Sequence, residues 1–240
     1  MTLLHDGELS AAFDHAARRY DLLTAVNPGY RADLRRSARR LRLPGGGRGL
    51  RLLDLGCGTG ASTAALLATA PHAEIVAVDA SAGMLERAAA KPWPPGVSFV
   101  HAPAEELAGA GGGFDAVFAA YLFRNVTDPD AVLAAVRTAL EPDGRLAVHE
   151  YTLSGSAAHR AVWTAVCRGI VLPAGRLTGD GSLYRHLWRS VLAFDTVPEF
   201  TARLRRAGFR QVRALPLPGW QTGITHTVVA AAPDARQETP

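Results

Sequence analysis

The segment Arg51–Gly60, which reads RLLDLGCGTG, constrains the fold more than any other part of the chain. Apolar residues lead into Asp54, and glycines then stand at alternate positions, Gly56, Gly58 and Gly60. A short apolar strand with no polar face is typical of a parallel sheet covered on both sides. Glycine permits the sharp turn from such a strand into a helix, here predicted over Thr59–Ala70. The first peptide N–H groups of that helix favour an anionic or polar ligand group.

Strand and helix patterns alternate through the rest of the chain. We predict six further strands, at Glu74–Val78 (ending at Asp79), Val97–Ala102, Phe114–Ala120, Arg145–Tyr151, Gln211–Leu215 and Thr225–Ala231. The predicted helices before the glycine turn are Ser10–Leu23 and Tyr30–Leu43. A turn over Glu141–Gly144 separates the helix Pro129–Leu140 from the fifth strand. This order indicates an α/β fold with a parallel sheet and helices on both faces.

The segment Ser154–Asp195 has no strand pattern, and we expect it to form a helical cap over the site. Its two arms are predicted at Ala157–Val171 and Leu183–Leu192, with Pro173 and several glycines dividing them. The last residues, 233–240, are polar and are predicted to be disordered.

The pattern Asp-x-Gly-x-Gly-x-Gly after a strand resembles motif I of the class I S-adenosylmethionine-dependent methyltransferases. It differs from the G-x-G-x-x-G spacing of dinucleotide-binding proteins, which disfavours a dinucleotide oxidoreductase. The resemblance implies a Rossmann-like fold with a seven-stranded, mostly parallel sheet. It divides the chain into an N-terminal helical segment on the substrate side (1–44), a methyltransferase domain (45–232, with the cap insertion at 154–195) and the tail (233–240).

The same resemblance implies a set of cofactor-binding residues for S-adenosylmethionine, whose product is S-adenosylhomocysteine. Asp79 lies about twenty residues past the glycine turn, where a carboxylate accepts hydrogen bonds from ribose hydroxyls. Met84 would contact the adenine or belong to the core. Pro103 stands where the family commonly has Asp or Asn, so adenine recognition would use backbone groups near Ala104. The predicted set is Asp54, Gly56, Gly58, Thr59, Gly60, Asp79, Ala80, Met84, Ala104, Glu105 and Tyr121.

Several separated segments are similar to the ubiquinone/menaquinone biosynthesis C-methyltransferases of the UbiE type. They are FDHAARRYDLL (13–23), RNVTD (124–128), YRHL (184–187), RRAGFRQV (205–212), and Gly223-Ile224 followed by His226. Two segments depart from that family. Tyr30-Arg31-Ala32 follows Gly29 where the family has His-Arg-x-Trp, and Tyr121-Leu122-Phe123 replaces Phe-Gly-Leu. Both departures flank the expected substrate pocket and leave the identity of the acceptor open.

The resemblance implies methyl transfer to a carbon of a reduced quinone or a related prenylated or phenolic compound. Arg124, with Tyr20, would stabilise the phenolate, since an arginine is a permanent cation. His149 or His226 would serve as the base because an imidazole titrates near neutral pH. Structural roles stay open: Arg124 could pair with Glu150, while Tyr20 and His226 could be packing residues. Because His149 and Glu150 are adjacent on a strand, only one of them can face the site.

The sequence is also compatible with other functions of an S-adenosylmethionine-binding protein. The chain could be an O- or C-methyltransferase of secondary metabolism, or a protein that uses bound S-adenosylmethionine only structurally. A nucleic-acid methyltransferase should carry an Asn/Asp-Pro-Pro-Tyr/Phe motif after the fourth strand, but RNVTD stands there. We therefore expect a small-molecule acceptor, prenylated and delivered by a membrane, and no nucleic-acid partner. A homodimer is compatible with the sequence.

The charge and cysteine content of the chain indicate where in the cell the protein is expected to act. The net charge is +4, and Lys91 is the single lysine, so arginine carries nearly all the positive charge. Scattered arginines are consistent with compositional bias, but the arginine-rich helix Tyr30–Leu43 could instead contact lipid. Cys57 and Cys167 lack metal or redox spacing, so no metal site and a reducing, cytoplasmic location are predicted. No secretory signal or membrane-spanning run is predicted, and peripheral contact with the inner face of the membrane is expected.

Overall fold

A seven-stranded sheet organises the computed structural model, which describes residues 29–178 and 181–234. The strands are β1 (Arg51–Leu55), β2 (Glu74–Asp79), β3 (Val97–His101), β4 (Phe114–Ala120), β5 (Leu140–Tyr151), β6 (Arg210–Pro216) and β7 (Thr225–Ala231). Their order in the sheet is β3-β2-β1-β4-β5-β7-β6; β7 pairs antiparallel with both β5 and β6, and the other neighbouring pairs are parallel. The strand order reverses between β1 and β4, which is where ligands bind in open α/β sheets.

Helices cover both faces of this sheet. They are α1 (Tyr30–Arg39), α2 (Ala61–Thr69), α3 (Ala82–Ala89), α4 (Pro129–Ala139), α5 (Ala157–Val166), α6 (Leu172–Thr178), α7 (Gly181–Ala193) and α8 (Val197–Arg206). A π-helical turn, Cys167–Val171, joins α5 to α6, and short 3₁₀ turns lie at Pro44–Gly47, Leu107–Ala110, Phe123–Asn125 and Gly219–Gln221. Within the described residues, no helix is both long and apolar enough to cross a membrane.

Alternation along the strands sends side chains into two separate cores. In β1, Leu53 and Leu55 enter the core beneath α4 and α8, whereas Leu52 enters the core beneath α1 and α2. Both cores consist of fully buried aliphatic and aromatic side chains, as the apolar strand sequences require. The sheet is therefore fixed from both sides, and its carboxyl edge is free to carry a site.

The predicted strands and the mostly parallel sheet are confirmed, with three local differences. β5 begins at Leu140, so the residues expected to form a turn continue the strand through a bulge at which Asp143 adopts a φ of 60°. Helix α1 ends at Arg39 rather than Leu43. Pro173 does not divide the cap helices, because it lies in α6, which continues directly from the π-helical turn Cys167–Val171.

Two sequence predictions concern the chain ends. The helix Ser10–Leu23 lies outside the described residues. Within the predicted disordered tail, Pro233 accepts a backbone hydrogen bond from Asp143, and Asp234 pairs with Arg210 at 3.1 Å. These two residues are therefore anchored to the sheet edge.

Candidate active site

A cavity of about 700 Å³ opens where the carboxyl ends of β1, β2 and β4 meet. Its volume suits a ligand of cofactor size. The cavity brings together most of the residues predicted from sequence to bind the cofactor, and Arg124 as well. Those in its wall are Gly56, Gly58, Asp79, Ala80, Met84, Ala104, Glu105, Tyr121 and Arg124.

The glycine turn presents open backbone to this cavity. Gly58 has a φ of 54°, and a Cβ built on it would meet no atom within 4 Å, so the space above it can accept a ligand. The Gly58 N–H donates to Asp79 Oδ2 at 2.7 Å, and the Ser81 N–H donates to Asp79 Oδ1 at 2.9 Å. The turn and the carboxylate at the end of β2 are thus joined directly. This open turn beside a strand-end carboxylate fits S-adenosylmethionine.

Three predicted cofactor residues lie behind the turn instead of in the cavity wall. Asp54 is fully buried and accepts hydrogen bonds from Ser62 Oγ (2.8 Å) and Thr63 Oγ1 (2.6 Å) of α2. The Thr59 carbonyl accepts from Lys91 Nζ at 2.7 Å. A Cβ on Gly60 would come within 2.7 Å of the Trp93 ring. The positions of these three residues therefore do not support the predicted direct contact with the cofactor. The three residues shape the glycine turn instead.

Burial raises the pKa of Asp54 to about 7 from 3.8. Since the folded state holds this proton more tightly than the unfolded state, the stability that protonated Asp54 contributes is fully present below pH 4 and is lost as pH rises towards 7. A tenfold change in a protonation equilibrium is worth about 1.4 kcal/mol, so the decline attributable to Asp54 is about 4 kcal/mol. Urea unfolding of the wild type and of Asp54→Asn across this range should show the difference in stability growing with pH in favour of the variant. Parallel curves would contradict the assignment.

Arg124 lies in the cavity wall and forms a buried ion pair. Its guanidinium donates to Glu150 Oε1 at 2.6 Å and to the Tyr121 carbonyl at 2.8 Å. The Glu150 side chain is fully buried and that of Arg124 is 8% exposed. Burial raises the pKa of Glu150, while Arg124 acts in the opposite direction. The pairing left open by the sequence is therefore present, and it holds the guanidinium at the edge of the cavity.

Aromatic rings surround this ion pair. Tyr121 adopts a φ of 57°, which is unfavourable for a tyrosine, and its N–H donates to the His149 carbonyl at 2.8 Å. Its ring stacks on Tyr30 (centroids 5.8 Å apart) and packs against Tyr151 (4.8 Å), and Arg124 lies over Tyr121 and Tyr151 at 5.5 and 5.7 Å. Burial holds the pKa of Tyr121 well above its ordinary value, so its phenol is neutral. Such strained backbone is typical of functional sites.

The two histidines predicted as bases do not reach the cavity. His149 faces α1, where its Nδ1 bonds Ser37 Oγ at 2.8 Å, and burial lowers its pKa to about 3. His226 Nδ1 bonds the Thr152 carbonyl at 2.9 Å, and burial lowers its pKa too. A general base must reach the proton that it removes and must bind a proton near working pH. The positions of His149 and His226 therefore do not support the predicted role as a base, which stays a prediction. Tyr20 lies outside the described residues.

A hydrogen-bonded chain continues beyond His149. Ser37 Oγ is 2.6 Å from Thr227 Oγ1, to which Arg40 donates at 2.8 Å. Arg40 also donates to the carbonyls of Leu215 and Pro216. Helix α1 is thereby fastened to β5 and to both strands of the C-terminal hairpin.

Further residues line the cavity or support its wall; the sequence indicated Asn125 by its position after the fourth strand and Leu122 by its place in a segment beside the expected substrate pocket, but not their contacts. Leu122 lies against the glycine turn, since a Cβ on Gly56 would come within 2.9 Å of Leu122 Cδ1. Asn125 Nδ2 donates to the Tyr121 carbonyl at 2.9 Å, and its Oδ1 is 3.0 Å from His186 Nε2 of α7, which joins the cap to the site. Position directly after a strand end was the available signal. The remaining wall residues are Leu55, Val78, Ser81, Ala102, Pro103, Glu106, Ala120 and Val126–Asp128.

The sheet order, the glycine turn and the carboxylate at the end of β2 define a class I methyltransferase fold. Solved structures share this fold. One is a Thermotoga maritima S-adenosylmethionine-dependent methyltransferase, described as a possible histamine N-methyltransferase. It has a TM-score of 0.66 at 19% identity, and the match covers 93% of this chain and 99% of the Thermotoga chain. Human N-acetylserotonin methyltransferase has a TM-score of 0.61 at 14% identity, over 93% of this chain and 56% of its own.

The chain belongs to the ubiE/COQ5 methyltransferase family, whose profile matches residues 1–228. One relative, the ubiquinone/menaquinone biosynthesis C-methyltransferase UbiE of Syntrophotalea carbinolica, is 34% identical over 86% of this chain and 88% of its own length. The demethylmenaquinone methyltransferase of Thermus thermophilus is 36% identical over 82% of this chain and 90% of its own length. The protein is an S-adenosylmethionine-dependent methyltransferase.

Proposed function

We propose that this methyltransferase methylates a ring carbon of a reduced quinone, or of a closely related prenylated phenol. The observation that carries the proposal is the position of Arg124, which lies in the cavity wall with its guanidinium over the packed rings of Tyr121 and Tyr151. Aromatic side chains favour a planar aromatic acceptor, and a guanidinium favours an oxyanion on it. The two relatives, a ubiquinone/menaquinone biosynthesis C-methyltransferase and a demethylmenaquinone methyltransferase, support the same acceptor class.

Different residues of this chain would bind the cofactor and activate the acceptor. Bound S-adenosylmethionine would supply an electrophilic methyl group and leave as S-adenosylhomocysteine. Gly56, Gly58 and Asp79 would hold it, and the cavity must place the acceptor carbon about 3–3.5 Å from the methyl group. Hydrogen bonding from Arg124 would stabilise the phenolate and lower the pKa of the acceptor hydroxyl. Since neither His149 nor His226 reaches the cavity, the proton would pass to water.

The direct test supplies labelled S-adenosylmethionine and reduced demethylmenaquinone and identifies the product by mass spectrometry. We expect a ring-methylated quinol, with fragmentation that separates C-methylation from O-methylation. If the cofactor binds and no quinol is methylated, the proposed acceptor is wrong. A methyl ether as product would favour an O-methyltransferase of secondary metabolism.

Leu122 offers a separate test of acceptor selection. Its side chain lies in the cavity wall against Gly56, so it borders both the glycine turn and the space for the acceptor. Leu122→Ala should raise kcat/KM for bulkier ring substituents relative to the natural acceptor by about tenfold, because a methylene in an apolar pocket is worth about 1–3 kcal/mol. Leu122→Met preserves volume and serves as the control. Equal selectivity in both variants would exclude this role.

We propose that the enzyme acts in the cytoplasm, at the inner face of the membrane that holds a prenylated acceptor. Cys57 and Cys167 are both buried free thiols, which suits a reducing compartment. Fractionation of lysed cells should recover the protein in the cytoplasm and on inner membranes; recovery from the medium would contradict this location.

A further inference from the structure

Helix α1 carries a continuous basic face. Arg31, Arg35, Arg36, Arg39 and Arg42 are all exposed, whereas Leu34, Ser37 and Ala38 are buried against the sheet. At the helical repeat of 3.6 residues, Arg31, Arg35, Arg36 and Arg39 fall on one side of the helix, and Arg42 is exposed just past its end. In the described part of the chain, none of the five forms an ion pair. Their charge is therefore directed at solvent.

An exposed tryptophan lies in a turn that contacts α1. Trp220 is 56% exposed in the 3₁₀ turn Gly219–Gln221. The turn is tied to α1 because the adjacent Gln221 donates from Nε2 to Asp33 Oδ2 at 2.8 Å, and both side chains are buried. An exposed tryptophan in a turn bound to a helix with exposed arginines is a combination found at membrane interfaces, where tryptophan occupies the headgroup level.

We propose that the α1 arginines and Trp220 form a docking surface for an anionic lipid bilayer. Charge complementarity favours phospholipid headgroups, and Trp220 supplies the apolar contact. Single-stranded nucleic acid is less suited, since it binds in a charged groove with several stacking rings, whereas this surface is the convex side of a helix with one exposed ring. The surface would hold the enzyme on its membrane with Tyr30, the first residue of α1, beside the cavity wall at Tyr121. Docking does not depend on which acceptor is methylated.

The test measures sedimentation of the full-length protein with phosphatidylcholine vesicles that contain or lack phosphatidylglycerol. Binding should require the anionic lipid and disappear as salt screens the charges. Arg35→Gln/Arg39→Gln should weaken partitioning about 25-fold, since each basic residue near an anionic surface contributes a factor of about five. The matched control is Arg205→Gln/Arg206→Gln, which removes the same charge from exposed positions of α8, on the opposite face of the sheet.

Trp220 is tested separately by vesicles made with brominated lipid, whose bromine quenches a tryptophan inserted among the acyl chains. Quenching should occur in the wild type and be lost in Trp220→Phe. Retained binding of S-adenosylhomocysteine shows that each variant is folded. The proposal is overturned if the protein does not bind anionic vesicles, or if the two double arginine substitutions weaken vesicle binding equally. It is also overturned if the fluorescence of Trp220 is not quenched. Tighter binding of RNA than of anionic vesicles would overturn it as well.

Discussion

Replacing Arg124 with methionine is expected to lower both stability and methyl transfer. Removing one partner of a buried ion pair leaves Glu150 uncompensated and fully buried, which costs about 3–5 kcal/mol. For a chain of this size the midpoint of thermal unfolding should fall by about 10 °C. The pKa of Glu150 should rise further, so the variant should be most stable in acid and lose stability as pH rises. The turnover number should fall about 100- to 1,000-fold, because a stabilising group for the oxyanion is lost.

A second substitution separates these two effects. Arg124→Met/Glu150→Gln removes the stranded charge, so stability measured by urea unfolding should largely return. Methyl transfer should stay low if Arg124 contacts the acceptor. Recovery of activity together with stability would show that Arg124 serves only the ion pair. S-adenosylhomocysteine affinity, measured by calorimetry, checks that the cofactor half of the cavity is intact in both variants.

Gly58→Ala is expected to abolish most cofactor binding while leaving the protein folded. The added methyl group would enter open space that the cofactor would occupy. Because one methylene in a binding pocket is worth about 1–3 kcal/mol, S-adenosylhomocysteine binding should weaken tenfold or more. The left-handed backbone at Gly58, φ 54°, adds a stability loss of about 1–2 kcal/mol.

Gly49 provides a matched control for this change. It too is left-handed, at φ 74°, with no atom within 4 Å of an added Cβ, but it lies before β1 and outside the cavity. Gly49→Ala should therefore lose similar stability and keep full cofactor affinity in a calorimetric titration. Equal loss of affinity in both variants would mean that backbone strain, and not a blocked site, is responsible.

The sequence predicted the strands, and it identified many of the residues that line the cavity, because both depend on local pattern. Apolar runs, alternate glycines and a carboxylate about twenty residues on identify a strand-turn-helix and its partner strand wherever they occur. The assignment of direct contacts was weaker. Asp54 and Asp79 both end or nearly end an apolar strand, yet only Asp79 lies in the cavity wall, since Asp54 points to the hydroxyls of Ser62 and Thr63.

The acceptor half could not be derived in this way because long-range contacts set its chemistry. The sequence shows a histidine at position 149, but not that its side chain is buried against Ser37, where burial lowers its pKa to about 3. The strained conformation of Tyr121 depends on hydrogen bonds from Arg124 and Asn125 to its carbonyl. Nor does any local pattern indicate that Tyr30 would stack on Tyr121.

The hydrogen-bonded chain from Arg40 through Thr227 and Ser37 to His149 also bears on the order in which the protein assembles. Ser37 and Thr227 are 190 residues apart, and Thr227 lies in β7. Helix α1 therefore cannot make this contact until the 190 residues that separate the two side chains have been synthesised. Contacts of such high sequence separation slow folding. The wall that Tyr30 shares with Tyr121 would thus be among the last parts of the enzyme to form, which keeps the aromatic pocket incomplete on a nascent chain.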